Sequence, residues 1–199
     1  MSLLAYRAME RASVDAKHEY VGDQIFLLAG GTRRHSILGL HIAAALIDVL
    51  GSGPCEVYNS DMRVRLSEAV LVYPDVSVSC GERDRENGED DEIAHPILAV
   101  EVLSRKPERI DRGRQLRDYQ ACPSLQEYVL ISVEYQAVEL YRRAGSGWTY
   151  HRYEAGETVE FASTGVRIPI EALYRRTQVP PAPALEVYTQ PPMGRPSRL

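Results

Sequence analysis

Lysine is nearly missing from this chain: of 23 basic residues only two, Lys17 and Lys106, are lysines. Any chemistry that needs an ammonium group has two places to draw it from. Cysteine is scarce as well. Cys55, Cys80 and Cys122 are odd in number, widely spaced and form no CxxC pair, which argues against a disulfide scaffold and a structural zinc site. Apolar runs such as IAAALI fall far below the roughly 18 residues that span a bilayer. The opening MSLLAYRAMERA meets Arg7 after a short apolar stretch and lacks the long uncharged run of a signal peptide. The expectation is a cytoplasmic protein with no membrane partner. No GxSxG or base-paired serine pattern points to covalent catalysis, and no P-loop lysine follows Gly30-Gly31. There is no internal repeat.

What is present suits one domain. A chain of 199 residues can bury a real core but not two comfortable ones. A hydrophobic content of 44% with 26% charged residues is ordinary for a globular protein. The net charge of −5 is local: GERDRENGEDDE, residues 81 to 92, holds seven acids and two arginines. The remainder is balanced. From Ser104 to Tyr119 six bases meet three acids, so global acidity does not exclude a phosphate-bearing substrate.

Leu3, Leu4, Ala8 and Ala12 predict a short helix. HEYVGDQIFLLAG reads as a hairpin: His18 to Val21, a Gly22-Asp23 turn, then Gln24 to Ala29. Thr32 is a plausible N-cap for the longest helix, whose apolar residues run from Ile37 to Val49 before Gly51 ends it. Strands CEVYN, MRVRL and VLVYPDVSVS precede the acidic loop, and AVEVLS follows it. Asp111 opens a helix through Tyr119, and EYVLIS is another strand. AVELYR, WTYHRY and TVEFA continue antiparallel, and a helical turn from Ile170 to Tyr174 closes the domain. The fold class is α/β (α+β): a mixed central sheet flanked by helices, with an antiparallel extension. Six of the 12 prolines fall between residues 178 and 199. The domain is therefore expected over residues 1–177, with an extended or disordered tail over 178–199.

One residue breaks the apolar pattern. Glu101 stands inside ILAVEVLS, where a lone carboxylate is expensive unless paired or bound to a cation. Asp75 begins or interrupts another β-rich run, YPDVSVS, after a proline that favours extended geometry before it. Glu101 lies 26 positions after Asp75, so the two strands can lie side by side and bring the acids together. Like charges disfavour double ionisation unless a divalent cation neutralises them, and hard oxygen ligands suit Mg²⁺ or Mn²⁺. An arginine partner is the other way to satisfy Glu101.

HEYVGDQI, TRRHSIL, SDMRVRL, YPDVSVSCG, AVEVLS, the DRG…Y stretch and PSLQEYVLI, in this order and spacing, resemble the Uma2-like family. These are also called DUF820 proteins, of the PD-(D/E)XK restriction-endonuclease-like superfamily. The resemblance covers roughly residues 1 to 175. It implies a restriction-endonuclease-like core and a metal-dependent endonuclease that hydrolyses DNA phosphodiester bonds with Mg²⁺ or Mn²⁺. It implies Asp75 and Glu101 as metal ligands, with the Val102 carbonyl as a third. Glu19 matches an acid of the family's first hairpin, which completes the metal shell or fixes an arginine. At the XK position stands Leu103. The family's lysine comes instead from a D-R-G-x-K helix start, where DRGRQ places Gln115. Glutamine can position water or a phosphate oxygen but carries no charge, leaving Lys106 or Lys17 as substitutes. Leu116 and Tyr119 define the packed face of that helix, and Gln115 and Tyr119 are i, i+4 neighbours.

Arg105, Lys106, Arg112 and Arg114 are the candidate phosphate contacts, a solvated helix face being the alternative. His35 falls where the family often carries histidine, in a position to face the cleft or to serve a structural hydrogen bond. Superfamily habit implies a homodimer. A second reading stays open: a catalytically impaired member that keeps the fold as a nucleic-acid-binding or assembly module.

Overall fold

Capping and turn residues set the element boundaries. In the computed structural model, which describes residues 1–86, 91–103 and 112–183, α1 (Leu3–Ala12) starts where the Ser2 hydroxyl accepts the Ala5 N–H. β1 (His18–Val21) and β2 (Gln24–Leu27) form the expected hairpin. Its turn residues Gly22 and Asp23 both have positive φ, 57° and 66°, as a two-residue turn joining right-twisted strands requires. Thr32 caps α2 (Arg33–Leu50) by accepting the His35 N–H, and Gly51 ends it.

The middle of the chain is short strands. β3 (Glu56–Asn59), β4 (Arg63–Ser67), β5 (Val70–Val72) and β6 (Val76–Ser79) lead to a short α3 (Glu82–Glu86). VLVYPDVSVS is thus two strands, not one, and the acidic segment begins as a helical turn. β7 (Glu92–Ile93), β8 (Pro96–Val102), α4 (Arg112–Ala121) and β9 (Glu127–Ile131) follow. β10 (Ala137–Ala144), β11 (Gly147–Glu154), β12 (Thr158–Phe161), β13 (Val166–Pro169) and α5 (Ile170–Leu173) complete the described order.

Among the described residues the strands form two larger sheets, ordered β2-β1-β5-β4-β7 and β11-β10-β9-β8-β6-β3, with β12 and β13 as a separate pair. In the six-stranded sheet β8 and β9 run parallel and their neighbours antiparallel. This is the mixed sheet with an antiparallel extension that the sequence predicts. Leu98, Val100 and Val102 of β8 pack with Leu38, Ile42 and Leu46 of α2. Ala99, on the opposite face, packs with Tyr119 of α4 and with Val64 and Val72 of the five-stranded sheet. The period-two alternation of a strand buried on both faces produces this division.

Two expectations need correction. Cys55 and Cys80 form a disulfide, while Cys122 is free and buried. The antiparallel β3–β6 ladder, with Glu56 opposite Ser79, brings the two flanking cysteines face to face, a meeting that linear spacing does not reveal. The body also continues past residue 177. Val179 is buried, the Gln136 N–H donates to the Pro180 carbonyl at 2.8 Å, and Gln136 bridges to Pro181. Residues 184–199 of the expected tail lie outside the described residues. Among the described residues no helix is long and apolar enough to cross a membrane.

Candidate active site

Acids gather where the chain crosses from one sheet to the other. β5 belongs to the five-stranded sheet and β6 to the six-stranded sheet, so Tyr73-Pro74-Asp75 carries the chain between layers. Pro74 has no N–H for a ladder and disfavours helical geometry at Tyr73. Tyr73 donates its own N–H to Glu19 Oε1 at 3.2 Å, which ties β1 to the crossing. In the β6–β8 ladder Val76 faces Val100; one step outward, Asp75 comes opposite Glu101. Asp75 Oδ2 accepts the Val102 N–H at 2.7 Å and lies 3.1 Å from His35 Nε2.

Glu101 shares the Ala99 face of β8, turned toward α4. Tyr119 donates its hydroxyl to Glu101 Oε1 at 2.6 Å, and the Gln115 amide donates to the same oxygen at 3.4 Å. One helical turn separates these two donors, so a single face of α4 presents both. His35 reaches Asp75 from the first turn of α2. A Cβ on Gly31 would stand only 2.6 Å from the His35 ring, so the glycine makes room for that approach.

The electrostatics follow from this crowding. Burial pushes the Glu101 carboxyl well above the usual carboxylate range, and the charges of Asp75 and Glu19 push it further, with the Tyr119 hydroxyl opposing. Glu19 is raised in the same way, by burial first and by Asp75 last, against the Tyr73 N–H. The hydrogen bond to Asp75 raises His35, and burial works against it. Glu101 is nonetheless partly exposed, so the cluster is open to a ligand.

The other predicted residues divide. Val102 meets Asp75 through its amide. Arg114 reaches the hairpin, donating to the Val21 carbonyl at 3.4 Å and facing Asp118 at 3.8 Å. Lys17 does not join the acids: its Nζ pairs with Asp61 Oδ1 at 2.6 Å and donates to the Ser60 carbonyl at 2.9 Å. Arg105 and Lys106 lie outside the described residues, as does the Arg112 side chain. Tyr119 packs in the core, as the sequence predicts, and serves also as a donor to Glu101. Its i, i+4 spacing from Gln115 was the only sequence signal for that role.

Among the described residues no three His, Cys, Asp or Glu side chains converge tightly enough to cage a metal ion. The chemistry of the donors still fits a hard divalent cation. Asp75, Glu101 and Glu19 repel one another, a cation relieves that cost, and Mg²⁺ commonly takes one or two carboxylates while keeping several waters. A groove of about 490 Å³ reaches the cluster at Glu19, lined by Phe26 and Leu28 near the hairpin and by Arg114, Gln115 and Tyr119 of α4.

With this geometry in view, residues 4–171 match the Uma2 family, described as "Putative restriction endonuclease". Two proteins of Synechocystis sp. are similar. The "Uncharacterized protein slr1290" is 35% identical over 161 residues, covering 80% of this chain and 84% of its own length. The "Uncharacterized protein sll1609" is 29% identical over 153 residues, covering 76% and 86%. The fold is shared with the crystal structure of "a putative nuclease belonging to DUF820" from Anabaena variabilis. That likeness has a TM-score of 0.72 at 18% identity and covers 87% of this chain and 97% of the other.

Proposed function

The chain belongs to the Uma2 family, and on that footing we propose that it is a metal-dependent endonuclease acting on DNA phosphodiester bonds, with Asp75 and Glu101 as the acids that hold Mg²⁺ or Mn²⁺. The observation that carries this reading is the geometry: Asp75 and Glu101 stand opposite one another at the end of the β6–β8 ladder, one fixed by the Val102 N–H and the other by the Tyr119 hydroxyl, with Glu19 held nearby by the Tyr73 N–H. A divalent ion held there supplies Lewis acidity toward a phosphate oxygen and lowers the pKa of an attacking water. Tyr119 holds Glu101 in place, and the Val102 N–H holds Asp75. His35 Nε2, 3.1 Å from Asp75 Oδ2, steadies that carboxylate. Gln115, at the position of the family's lysine, orients water or a phosphate oxygen by hydrogen bonding. Glu19 assists at the edge of the cluster. Arg114 at the groove, with Arg105, Lys106 and Arg112 close in sequence, makes the phosphate contacts. A homodimer in the cytoplasm belongs to the same proposal.

The second reading, a member that binds nucleic acid without cutting it, draws on two observations: Gln115 brings no charge, and Lys17 is committed to Asp61. Loss of a transition-state charge can cost a few kcal/mol of barrier. Cleavage of supercoiled and single-stranded DNA with Mg²⁺ or Mn²⁺ separates the readings. Metal-dependent cutting that disappears in Glu101→Ala supports the endonuclease and shows that glutamine suffices. Silence in the wild type with activity in Gln115→Lys supports the impaired member. No cutting and no metal binding by any variant would leave Glu101 a structural acid and sink the proposal.

A further inference from the structure

Among the described residues β2 is the outer strand of its sheet, and its Phe26 and Leu27 are 44% and 67% exposed. An open edge bearing large apolar side chains calls for a partner or a function. The hairpin register supplies the direction: Phe26 stands directly opposite Glu19. Cross-strand partners put their side chains on the same face, so the exposed ring lies beside an acid of the candidate site. Phe26 and Glu19 also line one groove with Gln115, Tyr119 and Arg114. Its volume of about 490 Å³ falls within the range of about 300–1,000 Å³ typical of small-molecule sites. The groove thus joins an aromatic face and a cation to Glu19 of the cluster, and to Gln115 and Tyr119, the two donors to Glu101.

We propose that Phe26 is a stacking platform for an unpaired nucleobase next to the scissile phosphate, so that the site takes single-stranded DNA in preference to intact duplex. This rests on the endonuclease reading. A base within a duplex already has both faces stacked, whereas an unpaired base has a face to offer an exposed ring. Arg114 at the same groove is the charge complement for the adjoining phosphate. Stacking is tolerant of sequence because every base has a π-face, and the site therefore discriminates strand state rather than base identity.

The test uses the full chain with Ca²⁺ in place of Mg²⁺, to keep the strands uncut, and fluorescence anisotropy of three labelled oligomers: single-stranded, duplex, and an abasic single strand of equal length. Phe26→Ala should weaken single-strand binding about tenfold, leave the abasic strand unaffected, and keep the thermal midpoint of the wild type. Phe26→Trp should restore the affinity. Equal binding of the abasic and normal strands by the wild type, or no loss in Phe26→Ala, overturns the platform. So does a change of oligomeric state in Phe26→Ala on size exclusion, which would assign the β2 edge to a second copy of the chain. Cleavage assays on the same oligomers keep the two readings apart. Cutting that persists with an unchanged single-strand to duplex ratio in Phe26→Ala removes the platform and leaves the endonuclease. Phe26-dependent binding without cutting by any variant removes the endonuclease and leaves the platform.

Discussion

Two glutamates stand on the adjacent parallel strands β8 and β9, Glu101 opposite Leu130 and Glu127 opposite Leu98, and their surroundings are contrary. The Glu127 side chain is fully buried, and its oxygens are met by donors. Arg142 Nε lies 2.7 Å from Oε1, the Ala162 N–H donates to the same oxygen at 3.1 Å, and both the N–H and the hydroxyl of Ser163 serve Oε2. Glu101 is only partly buried, yet its neighbours include two further acids, with a tyrosine hydroxyl and a distant amide as its donors. Glu127 closes a corner of the fold. Glu101 is held in a state that an added cation would relieve. A buried charge stabilises little in itself, but removing one partner of a satisfied pair is costly, because it leaves the rest uncompensated.

The largest effect should come from the satisfied glutamate. Glu127→Ala should lower unfolding free energy by about 3–5 kcal/mol, read by urea unfolding, and any metal-induced stabilisation should survive in what remains folded. A loss under about 1 kcal/mol would erase the contrast. Glu101→Gln should behave in the opposite sense. Its metal-free thermal midpoint should equal or exceed that of the wild type, while the midpoint rise on adding Mg²⁺ or Mn²⁺ should vanish. A large metal-free loss would make Glu101 a second Glu127.

Acidity sharpens the same contrast. Glu101 and Glu19 titrate above the usual carboxylate range in the folded chain. As pH rises from that range through the raised values, the unfolded chain ionises first and the folded chain holds more protons, so their contribution to stability falls. His35, also raised, contributes stability below the ordinary histidine value that is lost as pH rises through its folded value. In EDTA, as pH rises above the ordinary carboxylate range, the wild type should lose more stability than Glu101→Gln. Parallel curves would show that Glu101 pays no ionisation cost on folding. The smallest effect is Tyr119→Phe, which removes one donor and should cost about 1 kcal/mol while raising Glu101 further. It would show in the unfolding midpoint and as a shift of metal affinity toward higher pH.

Much of the architecture was legible because its causes are local. The Gly22-Asp23 turn, the Thr32 cap and the Gly51 stop act within a few residues of themselves, and the hairpin and long helix lie where those signals stand. The Tyr73-Pro74-Asp75 break was visible as a proline in a β-rich run. Its consequence, two strands in separate sheets, was not. The Cys55–Cys80 disulfide is not legible in the sequence, because spacing says nothing about which strand lies opposite which. Arg142 gave no hint that it would answer Glu127 instead of Glu101.

The sequence by itself determined the first hairpin, the long helix, the mixed α/β class and the acids that interrupt apolar strands, since caps, turns and alternation depend on neighbours along the chain. Only the tertiary structure decided which acid is satisfied and which is crowded. Strand register and the placing of α2 and α4 bring His35, Gln115 and Tyr119 to Asp75 and Glu101, and send Arg142 and Ser163 to Glu127. A carboxylate's character follows from what surrounds it in space, and residues far apart in the chain supply those surroundings.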